Sequence, residues 1–198
     1  MKNFDWCAYT YRHRIALQYV LEELVQETEL KEQMKQRAIM HDRDKMFLYL
    51  FLEQIDCQHY HVAHQPHHLE NPLQKSYEDL VETVLDFESA PYTKPDKPLN
   101  AFDFTKRLLS LGYIEQEVAD QLFSIMHDFG IDASYDITQD IQKRAFMESL
   151  PQVTEEMILA EVEAFLETDP VREIQYIRER CPEVETDPLW RKWELDKE

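Results

Sequence analysis

Apolar residues recur three and four positions apart along nearly the whole chain, and no segment keeps up the two-residue alternation of a half-buried strand. The pattern therefore predicts an all-α protein. A first helix is expected over about 4–27, with Trp6, Tyr9, His13, Leu17, Val20 and Leu24 on neighbouring rows of one face. A second, over about 30–53, is broken or reoriented near His41 and Asp42, because Arg43 and Asp44 interrupt its apolar pattern there. Residues 54–76 carry Pro66 and Pro72 among polar residues and read as a loop with short helical turns. A third helix, about 77–90, is stopped by Pro91. The proline-rich stretch Pro91 to Pro98 reads as a rigid connection.

Helices are expected next at about 100–111 and 114–129, each followed by a glycine, Gly112 and Gly130, where a left-handed cap belongs. The remainder predicts helices at about 138–149, 153–167 and 170–180, with Thr154 as a cap and Glu155 and Glu156 favouring the helix dipole. The expected organisation is a helical bundle over 1–130 and an acidic helical extension over 131–198. Ile158, Val162, Phe165 and Leu166 form an apolar stripe that must pack on the bundle or on a second subunit, so a homodimer is one arrangement. Trp190 and Trp193 are expected to pin the chain end.

Composition narrows the function. The chain has 198 residues with only 2 glycines, far apart, which excludes a phosphate-cradling P-loop, a dinucleotide fingerprint and a glycine-flanked nucleophile elbow. A formal net charge of -19 argues against sequence-independent binding to nucleic acid or to an anionic membrane. The cysteines Cys7, Cys57 and Cys181 show no C-x-x-C spacing, which points to reduced thiols and a cytoplasmic location. No apolar signal region stands at the N-terminus, and the longest apolar run, Met46 to Leu52, is much shorter than the roughly 20 residues of a membrane helix.

Histidine carries the sharpest chemical signal. Of 8 histidines, all but His127 fall within the first 68 residues, and His59, His61, His64, His67 and His68 crowd together, a metal-binding composition. His41 and Asp42 are adjacent at an expected helix end. His64, His67 and His68 have the i, i+3, i+4 spacing that joins side chains if the segment is helical. Glu82 and Asp86 share a helix face, and Asp86 sits in the apolar stretch VLDF, where an acid is costly unless it is paired or bound to metal. Glu82 reads as an acceptor behind a ligating imidazole. Mixed nitrogen and oxygen donors suit a divalent ion (Mn, Fe, Zn, Mg or Ni). His59 and His61 read equally as exposed or bound, and His127 as a histidine that offsets a helix dipole. Asp128, Asp132 and Asp136 do not have calcium-loop spacing.

The ordered series His13, His41-Asp42, the His64 to His68 cluster and Asp86 resembles the H…HD…H…D pattern of the HD-domain superfamily of metal-dependent phosphohydrolases. The segment H-D-R-D-K, 41–45, is similar to the H-D-x-x-K of some HD phosphodiesterases. A closer likeness, through HDRDKM, HQPHHLEN, DLVETVLDFESA and KPLNAF, is to a family of uncharacterised phage and bacterial HD-like proteins. The resemblance covers about 8–130 and implies a helical bundle with His13, His41, Asp42 and Asp86 as direct metal ligands. It further implies that His64, His67 and His68 complete a second metal site or hold phosphate, and that Lys45 binds phosphate or offsets its growing charge. The expected substrate is a small phosphorylated molecule. The competing readings are a non-catalytic HD-like module that acts by protein-protein contact, and an acidic interaction protein.

Overall fold

The computed structural model describes residues 1–93, 99–134 and 141–195. Among them there is no strand, so the protein is all-α. The helices are α1 (Phe4–Leu24), α2 (Thr28–Met40), α3 (Arg43–Phe51), α4 (Gln54–His64), α5 (Tyr77–Ser89), α6 (Ala101–Ser110) and α7 (Gln116–Asp128). After these come α8 (Ile141–Ser149), α9 (Glu155–Leu166), α10 (Val171–Arg180) and α11 (Pro188–Lys192), with 3-10 turns at Ala90–Tyr92 and Pro182–Thr186.

Local chemistry sets these boundaries. The Glu27 carboxylate caps α2 by accepting from the backbone N–H groups of Glu29 and Leu30. The helix ends at His41, and Asp42, with φ 58°, turns the chain through the left-handed region into α3. Ser76 and Asp79 form a reciprocal capping box on α5. Asn100 and Thr154 cap α6 and α9 through their side chains. Gly112 and Gly130 both have positive φ.

Two expectations are corrected. Residues 54–64 form helix α4 where the sequence reads as loop, because the helix-breaking Pro66 acts only after His64. His64, His67 and His68 consequently do not share a helix face: His64 ends α4, exposed, and the other two lie in the turns beyond it. The stretch Lys94 to Pro98, Asp136 and the start of the expected helix at 138–149 lie outside the described residues.

The chain forms two compact units, the first built from Met1–Tyr11, Asp42–His61 and Val153–Glu198, the second from Arg12–His41 and Val62–Gln152. They interleave along the sequence, whereas the sequence reading places a single boundary at 130/131. In the first unit α3 packs on α9 and α10. Met46 to Leu52 are all buried there, as expected of a short helix that is apolar all round. Phe47 meets Phe165 with ring centroids 5.8 Å apart, and Phe51 meets Trp190 edge-on at 5.3 Å. Ile158, Val162 and Phe165 of the predicted stripe are buried, as is Trp190, while Leu166 and Trp193 are half-buried.

The second unit has its own core, in which Leu17, Val20 and Leu21 of α1 join Met34 and Ala38 of α2, Val81, Val84 and Leu85 of α5, and Leu122, Ile125 and Met126 of α7. Burying each such large side chain stabilises the fold by about 1.5–3 kcal/mol. The same α5 buries Asp79, Glu82 and Glu88. Acids in such a place need partners. Glu88 accepts from the Ala101 backbone N–H at 2.9 Å and from Lys143 Nζ at 2.8 Å, tying α5 to the first turn of α6 and to α8.

Candidate metal centre

In the second unit, α1 supplies His13, the end of α2 supplies His41, the turn after α4 supplies His67, and α5 supplies Glu82 and Asp86. The three histidines are each 3% exposed. His13 Nε2 lies 2.7 Å from Asp86 Oδ1, and His41 Nε2 lies 3.8 Å from the same oxygen. His41 Nδ1 is 2.9 Å from Glu82 Oε1, and His67 Nδ1 is 3.4 Å from that oxygen. His41, His67 and Asp86 each bring one ligand atom within 4.8 Å of the others.

A carboxylate only accepts, so the His41 contact requires the proton on Nδ1 and puts the basic lone pair on Nε2. This carboxylate-imidazole pairing is the arrangement that orients a metal-binding histidine and makes it more basic. Burial works to raise the Asp86 carboxyl, but the His13 hydrogen bond and the imidazoles of His13, His41 and His67 outweigh it and hold Asp86 well below the usual carboxylate range. Its side chain is 20% exposed, so the centre is not sealed from water. Two imidazoles and one ionised carboxylate fit a borderline divalent ion such as zinc, iron or manganese.

The first unit carries a second donor set. Asp42, Asp44 and His61 also bring ligand atoms within 4.8 Å of one another. His61 Nδ1 is 2.7 Å from Asp44 Oδ2, and His61 Nε2 is 2.9 Å from Asp42 Oδ1. Lys45 Nζ donates to Asp42 Oδ2 at 2.9 Å. Burial and Lys45 work to lower the His61 pKa, but the carboxylates of Asp44 and Asp42 win and raise it, while His61 holds the Asp44 carboxyl low against its own burial. A metal at this set has to displace that imidazole proton.

The structure thus gathers His13, His41, His67, Glu82 and Asp86 in one unit, and Asp42 and Lys45 in the other. His68 is half-buried, with its ring centroid 4.5 Å from that of His67 and its Nδ1 3.7 Å from Glu70. His64 is exposed at the end of α4. The sequence does not single out Asp44, Arg37 and Asp79 as site residues, and His61 reads from it equally as exposed or bound. Only His61 had a readable signal: in a helix over 54–64, Cys57, Tyr60 and His61 fall on one face, and all three are buried. Comparison with protein-family models, with curated proteins and with solved structures finds no match to this chain.

Proposed function

We propose that the protein is a divalent-metal-dependent phosphohydrolase acting on a nucleotide or other small phosphoester. The observation that carries this reading is the set His41, His67 and Asp86, with the first imidazole aligned by Glu82. The HD-like order of these residues in the sequence supports it. When bound, a divalent ion supplies Lewis acidity toward a phosphoryl oxygen and brings the acidity of water near neutral pH.

The chain's own groups divide the remaining work. Asp86 supplies ionised charge to the centre, and His13 holds that carboxylate in place through its Nε2 proton. Glu82 keeps the His41 proton on Nδ1. In the first unit Lys45, 2.9 Å from the Asp42 carboxylate, is the cation beside the separate donor set of Asp42, Asp44 and His61. A net charge of -19 favours a small substrate over a polyanion, since local cations and metal then meet the phosphate without the long-range repulsion a polymer meets.

The test is turnover by the full chain with manganese across a panel of nucleotides and small phosphoesters. Release of phosphate, abolished by chelator and reduced by about two orders of magnitude or more in Asp86→Ala together with loss of bound metal, is the expected result. A metal-loaded protein inert toward the whole panel overturns the hydrolase reading in favour of a non-catalytic metal module.

A further inference from the structure

Glu82 does more than touch one histidine. Its two oxygens are divided. Oε1 faces the Nδ1 atoms of both His41, at 2.9 Å, and His67, at 3.4 Å, whereas Oε2 accepts from Arg37 Nε at 2.8 Å. Arg37 reaches across from the last turn of α2, and its Nη2 also donates to Asp79 Oδ1, one turn before Glu82 on α5. Asp79 is fixed in turn, because its Oδ2 accepts from the Ser76 backbone N–H at 2.8 Å. A planar guanidinium held by two carboxylates fixes not only the position of Glu82 but the plane in which its other oxygen presents lone pairs.

We propose that Arg37 is a positioning residue for the metal centre, acting through Glu82 to hold His41 and His67 together in the tautomer that carries the proton on Nδ1. The inference rests on the metal reading of this site. One carboxylate oxygen serving two imidazoles must stay in line with both, and a carboxylate free to rotate about its terminal torsion does not. Arg37 removes that rotation. Asp79 and the capping box of α5 anchor Arg37, so the orientation of two candidate ligands is built into the start of a helix rather than into a loop.

Nitrogen NMR of the histidine rings in the metal-free full chain at mildly alkaline pH reads this directly. The wild type is expected to show the Nδ1-protonated form at both His41 and His67, and Arg37→Met to show a mixture, with zinc affinity lowered about 10–100-fold. Arg37→Lys keeps the charge but not the fork, and is expected to leave the mixture in place. Asp79→Asn, which retains Arg37 but loosens its anchor, gives a second route should Arg37→Met fold poorly, and is expected to shift the same two signals. Unchanged tautomers and zinc affinity within twofold of wild type in a folded Arg37→Met or Asp79→Asn overturn the proposal. Wild-type zinc affinity in Asp86→Ala would instead sink the metal reading, and the tautomer signals still decide the role of Arg37.

Discussion

Burial keeps two of the three cysteine thiols from solvent. Cys7 and Cys57 are fully buried, and loss of solvent pushes both thiols up to about 12, leaving about a thousandfold less thiolate near neutral pH than an ordinary thiol carries. Cys181 is half-buried, raised by burial and by the neighbouring Glu183 carboxylate, and remains the accessible one. Titration of the native protein with a thiol reagent should therefore modify Cys181 first and release the other two only when denaturant unfolds the chain. Rapid native modification of all three would show that the first unit opens far more readily than its packing implies. Single residues also mark how far a sequence can be read. His13, His41, His67 and Asp86, which the structure gathers in one unit, could be named from the sequence by their order along the chain, and His13 and Asp86 also by their apolar neighbours. His61 stayed open between exposed and bound because Pro66 and Pro72 made its helix look like a loop with turns, and Arg37 was hidden by lying on a polar helix whose partners are more than forty residues away.

Helix ends carry much of the information that sequence periodicity supplies. Both glycines sit just beyond a helix with positive φ, as the stop signals predict, and a Cβ built at Gly130 meets nothing within 4 Å. Gly130→Ala should therefore cost only the backbone penalty of a left-handed alanine, about 1–2 kcal/mol, measured as a shift in the urea midpoint without a change in slope. A smaller loss would mean that the turn after α7 relaxes to another conformation. Asp42 is the contrasting case, since it holds φ 58° without being glycine. Asp is among the residues that tolerate this region, and the strain coincides with the His-Asp pair singled out for metal chemistry. The break of 30–53 near His41 and Asp42 was legible, since α2 ends at Met40 and α3 begins at Arg43; α4 was the least legible element, because a short helix and a loop with helical turns share the same apolar density.

At the scale of the molecule, the helical class was legible, whereas periodicity says which face of a helix is buried but not which other helix buries it, so the interleaved grouping of segments is read from the structure alone. A chain cut after residue 130 loses α9, α10 and α11, and with them Phe165 and Trp190, which cover Phe47 and Phe51. Such a fragment should expose the buried α3 run and elute as aggregate or as an expanded species with weak near-ultraviolet dichroism. A compact monomer with native dichroism would show that the first unit does not need its C-terminal helices.

That interleaving also imposes an order on synthesis. The second unit has all its residues once Gln152 has left the ribosome, but the first waits for Val153–Glu198. At roughly 5–20 residues per second, the apolar α3 segment spends several seconds outside the tunnel before its covering helices exist. Until the last helices arrive, the seven apolar residues Met46 to Leu52 have no covering partner from the C-terminal segment, which makes that run the aggregation-prone stretch of the nascent chain.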